Sequence, residues 1–135
     1  DKINIRQCVL TSMHKSIKDC IQQLDTHNVQ LLIDGNDFKP YTYIVNDQLE
    51  HCNHITIKGG DNLYTSIAAA SILAKVSRDE YISELCEENP ELEEKYGIAS
   101  NKGYGAKRHM EGIRQHGITK WHRKTYGICK NYVTV

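Results

Sequence analysis

Apolar residues Leu10, Met13, Ile17, Cys20, Ile21 and Leu24 recur at helical spacing, with Arg6, Lys15, Lys18 and Gln22 elsewhere on the wheel. This pattern predicts an amphipathic helix over residues 4–25. His27-Asn28 interrupts it, and the nearly continuous apolar run from Val29 to Ile33 predicts a short strand covered on both faces, ending at Asp34. Pro40 and Tyr41-Thr42-Tyr43 mark a connection, Ile55-Thr56-Ile57 predicts a second strand, and Gly59-Gly60 turns the chain into Asp61. A long helical signal runs from Leu63 to Leu85. Its small residues Ala68-Ala69-Ala70-Ser71 would admit another backbone closely, which predicts a central helix ended or restarted at Pro90. Beyond the glycine turn Gly103-Tyr104-Gly105, residues 106–115 predict one more helix with Met110 and Ile113 inward. No internal repeat or linker is evident.

Strand and helix alternation with short connections predicts an α/β layered fold, in which ligands favour the loops at the carboxyl ends of strands. Asp34 and Asp61 are both expected there. An ionised carboxylate at the edge of a core needs a cation, a donor or a metal to offset its desolvation. Either acid alone reads equally well as a helix cap or an Asx-turn. The pair suggests a metal site acting on phosphate.

A chain of 135 residues fits one domain, and its hydrophobic (39%) and charged (25%) fractions are those of a soluble globular protein. No apolar run approaches the roughly 18 to 20 residues of a membrane span, so no membrane partner is expected. The start, Asp1-Lys2-Ile3-Asn4, has no initiator Met and reads as a processed or truncated end. Five dispersed cysteines without a CxxC pair fit free thiols in a reducing compartment. His51-Cys52-Asn53-His54 lacks the second pair a zinc site would need.

Net charge is zero, yet the charges are segregated. Acids crowd residues 79–94, whereas Lys102, Lys107, Arg108, Arg114, Lys120, Arg123, Lys124 and Lys130 face only Glu111 between residues 101 and 130. Tyr104, Trp121 and Tyr126 lie among these cations. Such a segment suits phosphate neutralisation and stacking, or simply a solvated face.

Four blocks then stand in order: Leu32-Ile33-Asp34-Gly35-Asn36; Lys58-Gly59-Gly60-Asp61, leading into Ser66-Ile67-Ala68-Ala69-Ala70-Ser71-Ile72-Leu73-Ala74-Lys75-Val76-Ser77-Arg78-Asp79; Asn101-Lys102-Gly103-Tyr104-Gly105; and His122-Arg123-Lys124-Thr125-Tyr126. Together they resemble ribonuclease HII across essentially the whole chain. The resemblance implies a ribonuclease H-like fold, here incomplete at its amino-terminal strands and with carboxyl-terminal helices. It also implies an endonuclease using Mn2+ or Mg2+ on RNA/DNA hybrid duplexes and on DNA with an embedded ribonucleotide, in the cytoplasm or, in a eukaryote, the nucleus. Asp34 and Asp61 match catalytic metal ligands of that family. Tyr104 matches the tyrosine that packs on the sugar beside the ribonucleotide. Lys102 with Gly103, and also Asn36, Ser66, His122 and Arg123, would bind substrate or support the site.

The family's remaining acids form an Asp-Glu pair on an earlier strand, and before Asp34 the chain holds only Asp1, Asp19 and Asp25, none followed by Glu. Two ions about 4 Å apart need more carboxylates than two. The chain alone is therefore expected to be a poor nuclease, completed by a complementing amino-terminal segment, or else a silent nucleic-acid-binding remnant. A third expectation is that it does not fold alone. Gly59-Gly60 carries one glycine more than the family pattern, Asn101 stands where His is usual, and Ile118 stands where Pro is common. Asp79 reads as a structural ion-pair partner.

Overall fold

Helix α1 (Ile5–Leu24) starts where Asn4 Oδ1 accepts the Gln7 N–H at 2.9 Å, satisfying one of the amide groups that a helix start leaves unpaired. The computed structural model describes residues 3–24 and 28–132; the predicted helix end at Asp25 and the break at His27 fall outside them. Leu10 and Ile21 are buried and Met13 and Ile17 half-buried, whereas Cys20 and Leu24 of the predicted stripe are exposed. Arg6 grips the Asp37 carboxylate through two 2.6 Å bonds, and His14 bonds the Lys39 carbonyl while meeting Phe38 and Tyr41 edge-on. These contacts pin the segment after the first strand to α1.

That strand, β1 (Gln30–Asp34), pairs in parallel with β4 (Asn53–Ile57), with Asp34 opposite Ile57. Parallel pairing requires a crossover. The crossover contains a hairpin, β2 (Thr42–Val45) and β3 (Gln48–His51), turned by Asn46 and Asp47 at positive φ. Asn and Asp tolerate that left-handed backbone best among residues with side chains. Tyr41-Thr42-Tyr43, read from sequence as connection, thus leads into a strand. The expectation that β1 is covered on both faces is also corrected: Ile33 is buried, but Leu31 and Leu32 are only half-buried.

After a 3-10 turn at Gly60–Asn62 comes α2 (Thr65–Glu88). The predicted central helix is uncovered along residues 69–78, all of them exposed, including Ile72 and Leu73. The chain divides inside α2 into two compact units, Lys2–Ile72 and Leu73–Val135. The architecture is α/β, as the alternation predicts.

In the second unit Pro90 introduces α3 (Glu91–Tyr96), which Gly97 ends at φ 67° by donating to the Glu93 and Leu92 carbonyls. Short α4 (Ile98–Asn101) and then α5 (Lys107–His116) follow. Leu85, Cys86, Leu92, Tyr96, Ile98, Ile113 and Cys129 form the core. Ile118, at the position where the family favours Pro, packs against it. Gly112 lets α5 approach α3: a Cβ there would collide with the Lys95 carbonyl and lie 2.9 Å from the Tyr96 ring. Gly112→Ala is therefore expected to lower stability by about 1–3 kcal/mol, read as a lower denaturant midpoint with unchanged slope.

Candidate active site

The candidate acids lie in the first unit. Asp34 leaves the end of β1, and its Oδ1 accepts the Gly60 N–H at 2.8 Å. The adjacent Gly35 N–H extends the ladder to the Ile57 carbonyl at 2.8 Å. This holds the ends of β1 and β4 side by side and sets Asp61 one residue beyond the amide that Asp34 grips. Both glycines of the unusual Gly59-Gly60 pair have a reason. Gly59 turns at φ 68°, and a Cβ on buried Gly60 would lie 2.6 Å from Ile67 Cδ1 and 3.5 Å from Asp34 Oδ1. Asp61 is exposed, with Oδ1 accepting from Asn62 Nδ2 at 3.1 Å. Asn36 is exposed just after β1, and Ser66 is exposed on the first turn of α2.

The second unit carries its own candidates, in the loop after α4. Lys102 adopts φ 51° and Gly103 φ 77°, so this loop is held in left-handed backbone by its anchors. Asn101 is one, donating from Nδ2 to the Tyr96 carbonyl at 2.8 Å and accepting the Gly103 N–H at 2.9 Å. Arg78 is another: it donates to the Lys102 carbonyl at 2.7 Å and lies 4.9 Å from the centre of the exposed Tyr104 ring. Lys102 Nζ donates to Ser83 Oγ at 2.6 Å, which leaves ammonium protons for another acceptor. Asp79 pairs with Arg78 at 3.4 Å, the structural role expected of it.

His122 and Arg123 sit beyond α5. His122 Nδ1 accepts the Thr119 N–H at 3.0 Å, and its Nε2 lies 3.1 Å from His109 Nε2. Arg123 stacks 3.9 Å from the Tyr126 ring centre, and Lys120 stacks 4.8 Å from that of Trp121. A cavity of about 470 Å3 opens beside these groups, lined among others by Gly103, Gly105, His109, Met110, Trp121 and Arg123.

A sequence model of ribonuclease HII matches residues 1–129. The chain belongs to the ribonuclease HII family. It is 45% identical to a ribonuclease HII of Parabacteroides distasonis over 135 residues, all of this chain and 60% of that protein. It is 43% identical to one of Phocaeicola vulgatus over 128 residues (95% and 56%) and 41% identical to one of Cytophaga hutchinsonii over 126 residues (93% and 55%). The chain thus spans about 60% or less of the length of these relatives.

Members of the ribonuclease HII family are generally dependent on a divalent metal, and the donor set here fits part of such a site. Asp34 and Asp61 each have one carboxylate oxygen engaged by a neighbouring donor and a second to offer a hard cation. Among the described residues no group of three His, Cys, Asp or Glu side chains converges to hold an ion. Sequence reasoning found neither Arg78 and Asn101 as loop anchors nor His109. The last shares the inward stripe of α5 with Gly112 and Ile113, a place where an imidazole must find a polar partner.

Burial, with His109 alongside, holds the His122 imidazolium below its ordinary 6.5. The unfolded chain then binds more protons than the folded one just below that value. Stability from the neutral ring is complete above pH 6.5 and is lost as pH falls through the folded value. The thermal midpoint is expected to drop on acidification below pH 6.5, and His122→Asn to flatten that dependence when the two unfolding curves are compared.

Proposed function

We propose that this chain supplies part of a metal-dependent endonuclease that cuts RNA in RNA/DNA hybrids and at ribonucleotides embedded in duplex DNA. The observation that carries this reading is the Asp34 carboxylate held by the Gly60 amide beside Asp61, at the ends of adjacent parallel strands in a ribonuclease HII chain. Asp34 and Asp61 would hold Mn2+ or Mg2+. An ion held there would supply Lewis-acid polarisation of water and would offset charge on phosphate. The Gly60 donor fixes which oxygen Asp34 presents. An Asp-Glu pair from a complementing amino-terminal segment would supply the remaining ligands.

In the second unit Lys102 and the Gly103 amide would meet phosphate, with Arg123 and His122 flanking them. Tyr104 offers an exposed planar face to a sugar and a hydroxyl to the 2′-OH, the group that distinguishes RNA from DNA. Asn36 and Ser66 would support the backbone near the acids. The pairs Arg78–Tyr104, Lys120–Trp121 and Arg123–Tyr126 favour a second reading, duplex binding without turnover, because stacked cations and rings need no carboxylate to grip a nucleic acid.

Two measurements separate these readings. With a segment bearing the Asp-Glu pair supplied, Asp34→Asn should reduce Mg2+-dependent cleavage of a duplex holding one ribonucleotide by about 100-fold or more. Undiminished cleavage would remove Asp34 from the metal. Lys102→Ala should weaken hybrid binding and make the log–log salt slope shallower by about 1, whereas binding indifferent to salt would sink the phosphate role.

A further inference from the structure

The donors around His109 and His122 determine where each imidazole carries its proton. Because the Thr119 N–H points at His122 Nδ1, 3.0 Å away, that nitrogen is bare and the neutral ring is protonated at Nε2. The Thr119 hydroxyl, 2.9 Å from the same nitrogen, already accepts the Trp121 N–H and has its own hydrogen to give. His122 Nε2–H therefore donates across 3.1 Å to His109 Nε2, which must be bare. The His109 proton then sits on Nδ1, 2.8 Å from the Tyr104 carbonyl. One directed chain runs from Thr119 through both rings to Tyr104.

A third proton has no place in this chain. On His109 Nε2 it would face the His122 Nε2–H, and on His122 Nδ1 it would face the Thr119 N–H. The surroundings offer no compensating charge. Buried Tyr96 of α3 packs against both rings, with its phenol held neutral by burial and by Glu91. Around the adjoining cavity stand Tyr81 from α2, Arg123 and Tyr126 from the loop, and the Cys129 thiol, and no carboxylate is among the described lining residues. On α5 itself the neighbouring Arg108 is committed to Glu93 at 2.8 Å.

We propose that His109 is a positioning residue for Tyr104, holding its carbonyl through a two-histidine relay whose tautomers the surrounding donors set. The consequence for substrate rests on the nucleic-acid reading of Tyr104 given above. The Tyr104 carbonyl also accepts the Ala106 N–H at 2.8 Å, and Arg78 and Asn101 hold the loop from its other side. Losing the His109 bond therefore frees the Tyr104 end of the loop without unfolding α5.

The test is 15N NMR of the full chain at pH about 7.5, above the ordinary imidazole value, paired with binding of an RNA/DNA hybrid without divalent metal. His122 should be protonated at Nε2 and His109 at Nδ1. His109→Phe should shift the Tyr104 amide and weaken hybrid binding about tenfold, and His109→Asn, which keeps a donor near Nδ1, should restore both. The opposite tautomers, or a Tyr104 amide unmoved by His109→Phe, would overturn the proposal, as would hybrid binding by His109→Asn no tighter than by His109→Phe. Absence of hybrid binding by the wild type would count against Tyr104 as a reader of nucleic acid, leaving the Tyr104 amide shift to decide whether His109 positions it.

Discussion

A carboxylate at the end of a parallel strand must be answered by a donor or a cation, and here the Gly60 amide answers Asp34. That single bond constrains much of the first unit. The amide can reach Asp34 only because Gly59 turns through left-handed backbone and Gly60 carries no Cβ to strike Ile67. Ile67 belongs to the first turns of α2, so the start of the helix and the end of β1 are referred to the same glycine. The extra glycine relative to the family pattern is accommodated because Gly59 makes the turn and Gly60 ties it back to Asp34.

The second unit holds its Lys102–Tyr104 loop differently. The left-handed Lys102–Gly103 segment and Tyr104 after it are held by side chains that reach them from α2, α4 and α5. Polar anchors of this kind fix backbone position while leaving the Tyr104 ring bare. Asn101, a departure from the family's usual His, spans from the end of α3 to the Gly103 amide and serves as one of these anchors.

Much of this was legible in the sequence, and the parts that were not have identifiable physical causes. The strand ending at Asp34 and the strand and turn before Asp61 could be read because a run of β-branched and apolar residues stops at an acid in one case and at glycines in the other. Helix α1 could be read because apolar spacing persists over several turns, and α2 from its long run of small and apolar helix formers. The β2–β3 hairpin escaped because its strands are four residues each, too short for a period to emerge, although Asn46-Asp47 carries the turn signal. The exposed stretch of α2 escaped because its small and apolar residues describe a helix built for close packing, and composition does not say whether a neighbour is present. His109 escaped because its partners are a carbonyl five residues before it and a ring thirteen residues after it, a pairing only the folded chain creates.

The placement of the thiols has a consequence for chemical lifetime. Cys8 and Cys20 are exposed, whereas Cys52 lies buried in the first unit and Cys86 and Cys129 in the second. Burial raises the Cys52 and Cys86 thiols above their ordinary range, so the reactive thiolate is scarce while the fold is closed. Oxidants will consume the α1 cysteines first, and sulfenic acid at the inner positions will form at a rate set by local opening. Oxidation of buried Cys52 or Cys86 then leaves a polar, larger group among apolar neighbours, so a transient opening of either unit is prolonged into a loss of packing that lasts until the thiol is restored.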